Sequence, residues 1–241
     1  IYTPEENRPI LQQLLPEAIV KPYQDYDREE LLGLLSWADV VLCGSGLGTG
    51  ETSRKILETV ALEGEKPAVI DADGLNLLGA HREWLSELRH RDYIFTPHLK
   101  EMERLTGIPT DQIRANRLEA LRTLAAGTGL GCVLKDSVTL IQKGEGRTYL
   151  NPTGNSAMAK AGSGDVLAGI IAGLLAQGIS CEAAALLGTW LHGRAGDLAR
   201  EEKGRYSVLA RDLIGKLAQA MKETDENIRH GKIRSLEIEQ K

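Results

Sequence analysis

The stretch Asn151–Gly178, NPTGNSAMAKAGSGDVLAGIIAGLLAQG, decides how this chain is read. It passes from polar, glycine-rich sequence through Gly162-Ser163-Gly164-Asp165 into an apolar run from Val166 to Ala176. Small residues ahead of a helix leave several backbone N–H groups unpartnered and aimed at one spot. The helix start adds partial positive charge, so that spot is an anion site suited to phosphate. Asp165 stands at the helix mouth, where a carboxylate either caps the helix or takes a proton from a substrate hydroxyl. Gly169 and Gly173 lie one turn apart and let the helix press close to its neighbours. Taken alone, the stretch fits a plain glycine loop with an N-cap Asp as well as a phosphoryl-transfer site with Asp165 as base.

Bulk properties narrow the choice. The 241 residues are 42% hydrophobic with a formal net charge of −5, which suits a single α/β domain with a sizeable core. A mildly acidic chain without a basic block argues against nucleic acid as the main partner. No apolar run reaches the ~20 residues of a membrane span, and no signal peptide opens the sequence. Cys43, Cys132 and Cys181 have apolar or helical surroundings and no CxxC spacing, so they read as reduced, buried residues of a cytoplasmic protein, and zinc is not expected.

The elements alternate. Ile1–Thr3 reads as the tail of a strand and Pro4–Leu15 as a helix with Pro in its first turn. No initiator Met precedes them, and a domain of this pattern is expected to begin with a further βα unit of ~30 residues. Strands are then expected at Ala18–Val20, Asp39–Cys43, Pro67–Ile70, Asp92–Phe95, Gly131–Lys135, Ser137–Gln142 and Arg147–Leu150, with Lys143–Gly146 as a hairpin joining the last two. Helices are expected at Asp27–Trp37, Glu51–Leu62, Leu99–Leu105 and Thr110–Ala126, with three more between Gly164 and Met221, the last capped by Ser207. Residues 1–222 read as one domain and 223–241 as a charged tail. Strand–helix alternation implies a mostly parallel sheet covered on both faces. Ligands of such sheets bind beyond the carboxyl ends of the strands. The polar and glycine-rich loops fall there: Gly44–Gly50, Asp71–Gly74, Thr96–Glu101 and Asn151–Gly164.

Gly44–Gly50 is neither a Walker loop nor a dinucleotide fingerprint, because Thr49 occupies a position where each needs glycine. It remains a loop whose backbone can approach a ligand or simply a tight turn. His98 and Glu101 lie three apart at a helix start, on one face. Glu101 suits either water-bound magnesium near phosphates or a partner for the helix dipole. Lys135 ends a strand, within reach of a phosphate along that edge, and Lys160 is similarly placed. Asp71 and Asp73 suggest metal or ribose binding only weakly. His192, Arg194 and Asp197 read as a solvated or interhelical polar set. His81, His90 and His230 lie in charged surface stretches.

GSGLGTG, DADGLNLL, TPHLKEMERLTG, VLKDSVTLI and the Asn151–Gly178 stretch occur in the order seen in NAD(P)H-hydrate dehydratases, and about Thr3 to Lys222 resembles that family. The resemblance implies a ribokinase-like three-layer αβα fold, apparently without its first βα unit. It also implies repair of hydrated NADH or NADPH, with ADP, more than ATP, as phosphoryl donor, with Mg²⁺. On this resemblance Asp165 contacts the hydrate and acts as base. Gly46, His98 and Asn155 also bind the hydrate. Gly162, Ser163 and Gly164 cradle phosphate, Lys135, Asp136, Ser137, Val138 and Thr139 contact the nucleotide, and a homotetramer is the family assembly. Two residues depart from the pattern: Ala157 and Asp136 stand where glycine is usual, and Asp136 adds negative charge beside the nucleotide. The alternatives are a small-molecule alcohol kinase of the same superfamily, such as one for hydroxymethylpyrimidine, and a non-catalytic nucleotide-binding module.

Overall fold

The computed structural model describes residues 1–89 and 91–229. The chain alternates strand and helix from its start. β1 (Tyr2–Pro4) leads through a 3-10 turn at Glu5–Asn7 to α1 (Arg8–Leu14), and β2 (Lys21–Tyr23) to α2 (Arg28–Trp37). β3 (Val41–Cys43) precedes α3 (Glu51–Glu58), and β4 (Ala68–Ile70) precedes α4 (Ala72–Ala80) and the short α5 (Trp84–Glu87). β5 (Tyr93–Phe95) is followed by α6 (Leu99–Thr106), α7 (Thr110–Ala115) and α8 (Arg117–Thr128). β6 (Gly131–Leu134), β7 (Leu140–Lys143) and β8 (Tyr149–Leu150) come next, then α9 (Ser163–Ala176), α10 (Cys181–Lys203) and α11 (Ala210–Arg229).

Strands β3 to β8 form one sheet in sequence order, parallel from β3 to β6 and antiparallel at β6–β7 and β7–β8. β1 and β2 form a separate parallel pair. Alternation sorts the side chains. Ile70, Tyr93, Phe95, Cys132 and Leu134 face a core completed by Leu31, Leu57, Leu75, Met102 and Leu121. Val69, Ile94, Val133 and Ile141 face the other, against Leu167, Ile171 and Leu191. Burial on both faces is why these strands read as continuous apolar runs, and each such side chain contributes about 1.5–3 kcal/mol. The result is the three-layer αβα arrangement with a mostly parallel central sheet. Because β8 runs antiparallel to β7, it points the same way as β6. The carboxyl ends of β3, β4, β5, β6 and β8 therefore open on one edge, and all four polar loops start there.

Local differences have local causes. The second strand lies at Lys21–Tyr23 rather than Ala18–Val20, paired in the register Tyr2↔Lys21, and Pro22 is tolerated because this strand is at an edge. The Pro4–Leu15 helix starts only at Arg8, since Pro4 closes β1. Thr110–Ala126 is two helices, broken at Asn116, whose side chain accepts from the Glu119 N–H and opens α8. β7 starts at Leu140 rather than Ser137, because residues 136–139 turn outward and Arg117 holds them. Helix α4 follows β4 with no loop between, through Ala72 at φ +49. The last helix starts at Ala210. Leu209 immediately precedes it, and Asp212 in its first turn reaches back to accept from the Leu209 N–H; Ser207 lies in the turn before. α11 also continues to Arg229, through the position where a tail was expected. The rest of that tail, His90 and His230 lie outside the described residues.

Candidate active site

At the centre of the shared edge lies Lys135, the first residue beyond β6. Its backbone N–H donates to the Pro97 carbonyl, so the two strand ends stay in register. Its ammonium donates to Asp71 Oδ1 at 2.7 Å and lies 3.9 Å from Glu101 Oε2. Asp71 is 1% exposed and also accepts from Thr96 Oγ1 at 2.7 Å. A buried carboxylate needs partners of this kind, and the Thr96 hydroxyl and Lys135 supply them. A β-carbon on Gly164 would lie 3.3 Å from Lys135 Nζ and 3.7 Å from Asp71 Oδ2, so the glycine turn rests directly above this pair.

That turn has the form the sequence suggests. Gly162 takes the left-handed conformation, and α9 begins without a side-chain cap. The first bond of the helix runs from the Val166 N–H to the Gly162 carbonyl. The N–H groups of Gly164 and Asp165 precede it and have no intrahelical acceptor. Asp165 is exposed beside them. It also lies at the mouth of a cavity of about 440 Å³ that runs away from the loops, between α9 and α11, with apolar walls such as Ile170, Ile214 and Leu217. Those walls suit no phosphate.

His98 caps α6. Its Nδ1 accepts from the N–H groups of Lys100 and Glu101, which puts the neutral ring's proton on Nε2. Burial and the nearby Lys135 charge hold its pKa below the ordinary value. Glu101 completes a capping box by accepting from the His98 N–H at 2.8 Å. Burial pushes its carboxyl up, with Lys135 opposing. Among the described residues no group of three His, Cys, Asp or Glu side chains is placed to hold a metal ion.

The Gly44–Gly50 loop is tied in by close approach. A β-carbon at Gly44, at φ +127, would fall 1.8 Å from the Asp71 carbonyl oxygen, so only glycine fits. Asp73 Oδ2 accepts from the Gly48 N–H, and Gly46 stands exposed at the loop's turn. Residues Asp136–Thr139 form an exposed to half-buried loop beside Lys135. Arg117 donates to Asp136 Oδ2 and to the Val138 carbonyl, which offsets the extra negative charge there.

Asn155 is engaged on both sides. Its Nδ2 donates to Asp197 Oδ1 at 2.7 Å, and its Oδ1 accepts from the Ala157 N–H. Ser163 Oγ lies 3.3 Å from His192 Nε2. The structure thus brings Lys135, His98 and Gly164 together directly, and links Ser163 and Asn155 through α10. Sequence reasoning gave Asp71 only a weak metal or ribose reading, and His192 and Asp197 only that of a solvated or interhelical polar set; the structure places all three against the candidate site. The signals available were the position of Asp71 at a strand end and the spacing of His192 and Asp197 on one helix. Arg194, grouped with them in the sequence, instead pairs with Glu201 and Glu223.

The family model for NAD(P)H-hydrate dehydratase matches residues 1–219. The chain belongs to the NAD(P)H-hydrate dehydratase family. It is 40% identical over 194 residues to the bifunctional NAD(P)H-hydrate repair enzyme Nnr of Thermofilum pendens, covering 80% of this chain and 37% of that one. It is 38% identical over 213 residues to the ADP-dependent (S)-NAD(P)H-hydrate dehydratase of Neisseria meningitidis, covering 87% of this chain and 71% of that one. It spans less than half the length of the bifunctional relatives it matches. Among solved structures, the ADP/ATP-dependent NAD(P)H-hydrate dehydratase of Bacillus subtilis, co-crystallised with ATP/Mg²⁺, superposes with a TM-score of 0.75 at 28% identity, covering 92% of this chain and 76% of that one. A hydroxyethylthiazole kinase from Pyrococcus horikoshii has the same fold at 18% identity, with a TM-score of 0.67. A ribokinase-like superfamily protein of Enterococcus faecalis superposes with a TM-score of 0.76 at 32% identity, covering 92% of this chain and 75% of that one, so the fold is ribokinase-like. Among the described residues no helix is long and apolar enough to cross a membrane.

Proposed function

We propose that this chain dehydrates hydrated NADH or NADPH at the expense of a nucleoside di- or triphosphate, with ADP favoured over ATP as in the name of the Neisseria relative. The observation that carries this reading is the exposed Asp165 carboxylate beside the free N–H groups of the α9 start, with the Lys135 ammonium beneath.

Asp165 takes the proton of the hydrate's hydroxyl, and that oxygen attacks the terminal phosphorus. The bond from phosphorus to the bridging oxygen breaks, and the shortened nucleotide leaves with its electron pair. The hydroxyl, a poor leaving group, is now a phosphate ester. Breaking its C–O bond releases phosphate, and loss of a proton from the adjacent ring carbon restores the double bond. Little covalent work falls to the protein, so positioning and charge stabilisation carry the rate. The α9 amides and Lys135 bind the transferred phosphoryl group, Asp136–Thr139 lie along the nucleotide, and Gly46, His98 and Asn155 border the hydrate. Magnesium would be carried by the nucleotide's phosphates, whose charge it would help neutralise, and Glu101 would be the residue to face it through water. A cytoplasmic homotetramer, with residues 1–222 as its domain, belongs to the same reading.

The test mixes the protein with Mg²⁺, hydrated NADH and either nucleotide, and follows the return of reduced-nicotinamide absorbance. Asp165→Asn is expected to keep the fold and lose ~10²–10⁴-fold in turnover, the usual share of a positioned base. Turnover within threefold of wild type removes Asp165 from the mechanism. A stable phosphorylated product from another alcohol would select the kinase reading instead.

A further inference from the structure

Two residues that the reaction does not require to touch a ligand stand behind the site on α10. His192 and Gly196 lie four apart and so occupy one row along the helix, and Gly193 and Asp197 occupy the adjacent row. In the first row His192 meets the nucleotide side, its Nε2 3.3 Å from Ser163 Oγ at the start of α9, while Gly196 lies against Met158 of the loop after β8. The second row meets the opposite loop, since Asp197 accepts from the Gly154 N–H at 3.1 Å and from Asn155 Nδ2 at 2.7 Å. Both glycines let the loop close on the helix. A β-carbon on Gly193 would fall 2.2 Å from Thr153 Oγ1, and one on Gly196 would fall 2.2 Å from Met158 Sδ.

We infer that α10 is the frame of the site. His192 is a positioning residue for the α9 anion turn, and Asp197 is a positioning residue for the Gly154–Ala157 loop. Neither touches reacting atoms. The chemistry is consistent with the assignment. A neutral imidazole next to Ser163 adds no charge to compete with Lys135 for a phosphate, and its ring is held neutral by burial. Asp197 by contrast brings a full charge to two neutral donors, the stronger kind of hydrogen bond. The two residues therefore control different halves: the first sets nucleotide affinity, the second sets affinity for the hydrate. That division of labour rests on the proposed reaction, whereas the positioning itself does not.

Amide hydrogen exchange on the free protein tests positioning without any ligand. His192→Leu is expected to speed exchange at Ser163 and Val166 about tenfold and to leave Gly154 unchanged. Asp197→Ala is expected to do the reverse, and His192→Gln, which keeps a nitrogen near the Nε2 position, to stay near wild type. Calorimetry with Mg²⁺-ADP gives the second readout. Loss of one hydrogen bond is worth roughly 2- to 12-fold, so His192→Leu and Ser163→Ala should each weaken binding by about fivefold, and the double variant by no more than either alone. Exchange rates that do not move at either segment, or single effects that simply multiply in the double variant, overturn the inference. Wild-type protein that binds no nucleotide while exchange responds as stated overturns the proposed reaction and leaves the frame standing.

Discussion

His192 shows how one buried side chain links the site to stability. Burial, reinforced by repulsion from Lys135, pushes its pKa down to about 4 from the ordinary 6.5. Between these values an unfolded chain binds a proton at this ring and the folded chain does not. Stability is therefore complete above about pH 6.5 and is lost as the pH falls toward 4, by on the order of 3 kcal/mol at most. Glu101 acts in the other direction, because burial raises its carboxyl and favours the folded state at low pH. Urea midpoints measured from pH 4 to 7 should fall on the acid side for the wild type and flatten in His192→Gln; parallel curves would place His192 outside the acid response. The sequence made the glycine turn, and the position of Asp165 at its helix mouth, readable, because a glycine-rich approach to a helix is a local signal. Asp71, His192 and Asp197 were not readable, because each gains its meaning from partners 25 to 64 residues away, Thr96 and Lys135 for Asp71, Ser163 for His192 and Asn155 for Asp197.

Among the elements, α9 and α10 carry glycines of opposite meaning. Gly193 faces the Thr153 backbone, where a β-carbon would come within 2.7 and 2.8 Å of the carbonyl carbon and oxygen, contacts no side-chain rotation relieves. Gly169 and Gly173, expected to let α9 press close to its neighbours, instead face open space, with no neighbouring atom within 4 Å of a β-carbon at either. Alanine favours a helix interior over glycine by about 1 kcal/mol, and overpacking costs typically 1–3 kcal/mol. Gly169→Ala should then raise the melting temperature, while Gly193→Ala should lower it and weaken activity through the displaced loop. Equal shifts of the same sign in thermal melts would contradict the packing described. The alternation of strands and helices was legible because these strands are buried on both faces and so are uniformly apolar. The direct passage from β4 into α4 was not, since Asp71-Ala72-Asp73-Gly74 has turn composition and only the positive φ of Ala72 lets the helix start there. The split at Asn116 was hidden for a related reason: a capping Asn inside a helical pattern looks like one more polar position.

On the scale of the whole molecule, the candidate site draws on the carboxyl ends of β3, β4, β5, β6 and β8 and on two helices behind them, so no single segment contains it. Gly44 abuts Asp71, Asp71 holds Lys135, Lys135 underlies Gly164, and α10 ties α9 to the loop after β8. A ligand seated on this edge contacts elements whose mutual placement exists only in the folded state, and it therefore stabilises the fold by mass action. Mg²⁺-ADP at 100 times its dissociation constant should add about 2.7 kcal/mol, which for a chain of this size raises the melting temperature by roughly 5–10 °C. Asp165→Asn removes the proposed proton acceptor but none of the amides or the Lys135 ammonium, so its melting temperature should rise at least as much with nucleotide. Lys135→Met removes the proposed phosphate contact and leaves Asp71 and Glu101 without their cation, and it should both lower the unliganded melting temperature and shrink the shift. Nucleotide that shifts the Lys135→Met protein as far as the wild type would mean that the phosphates lie somewhere other than on this edge of the sheet.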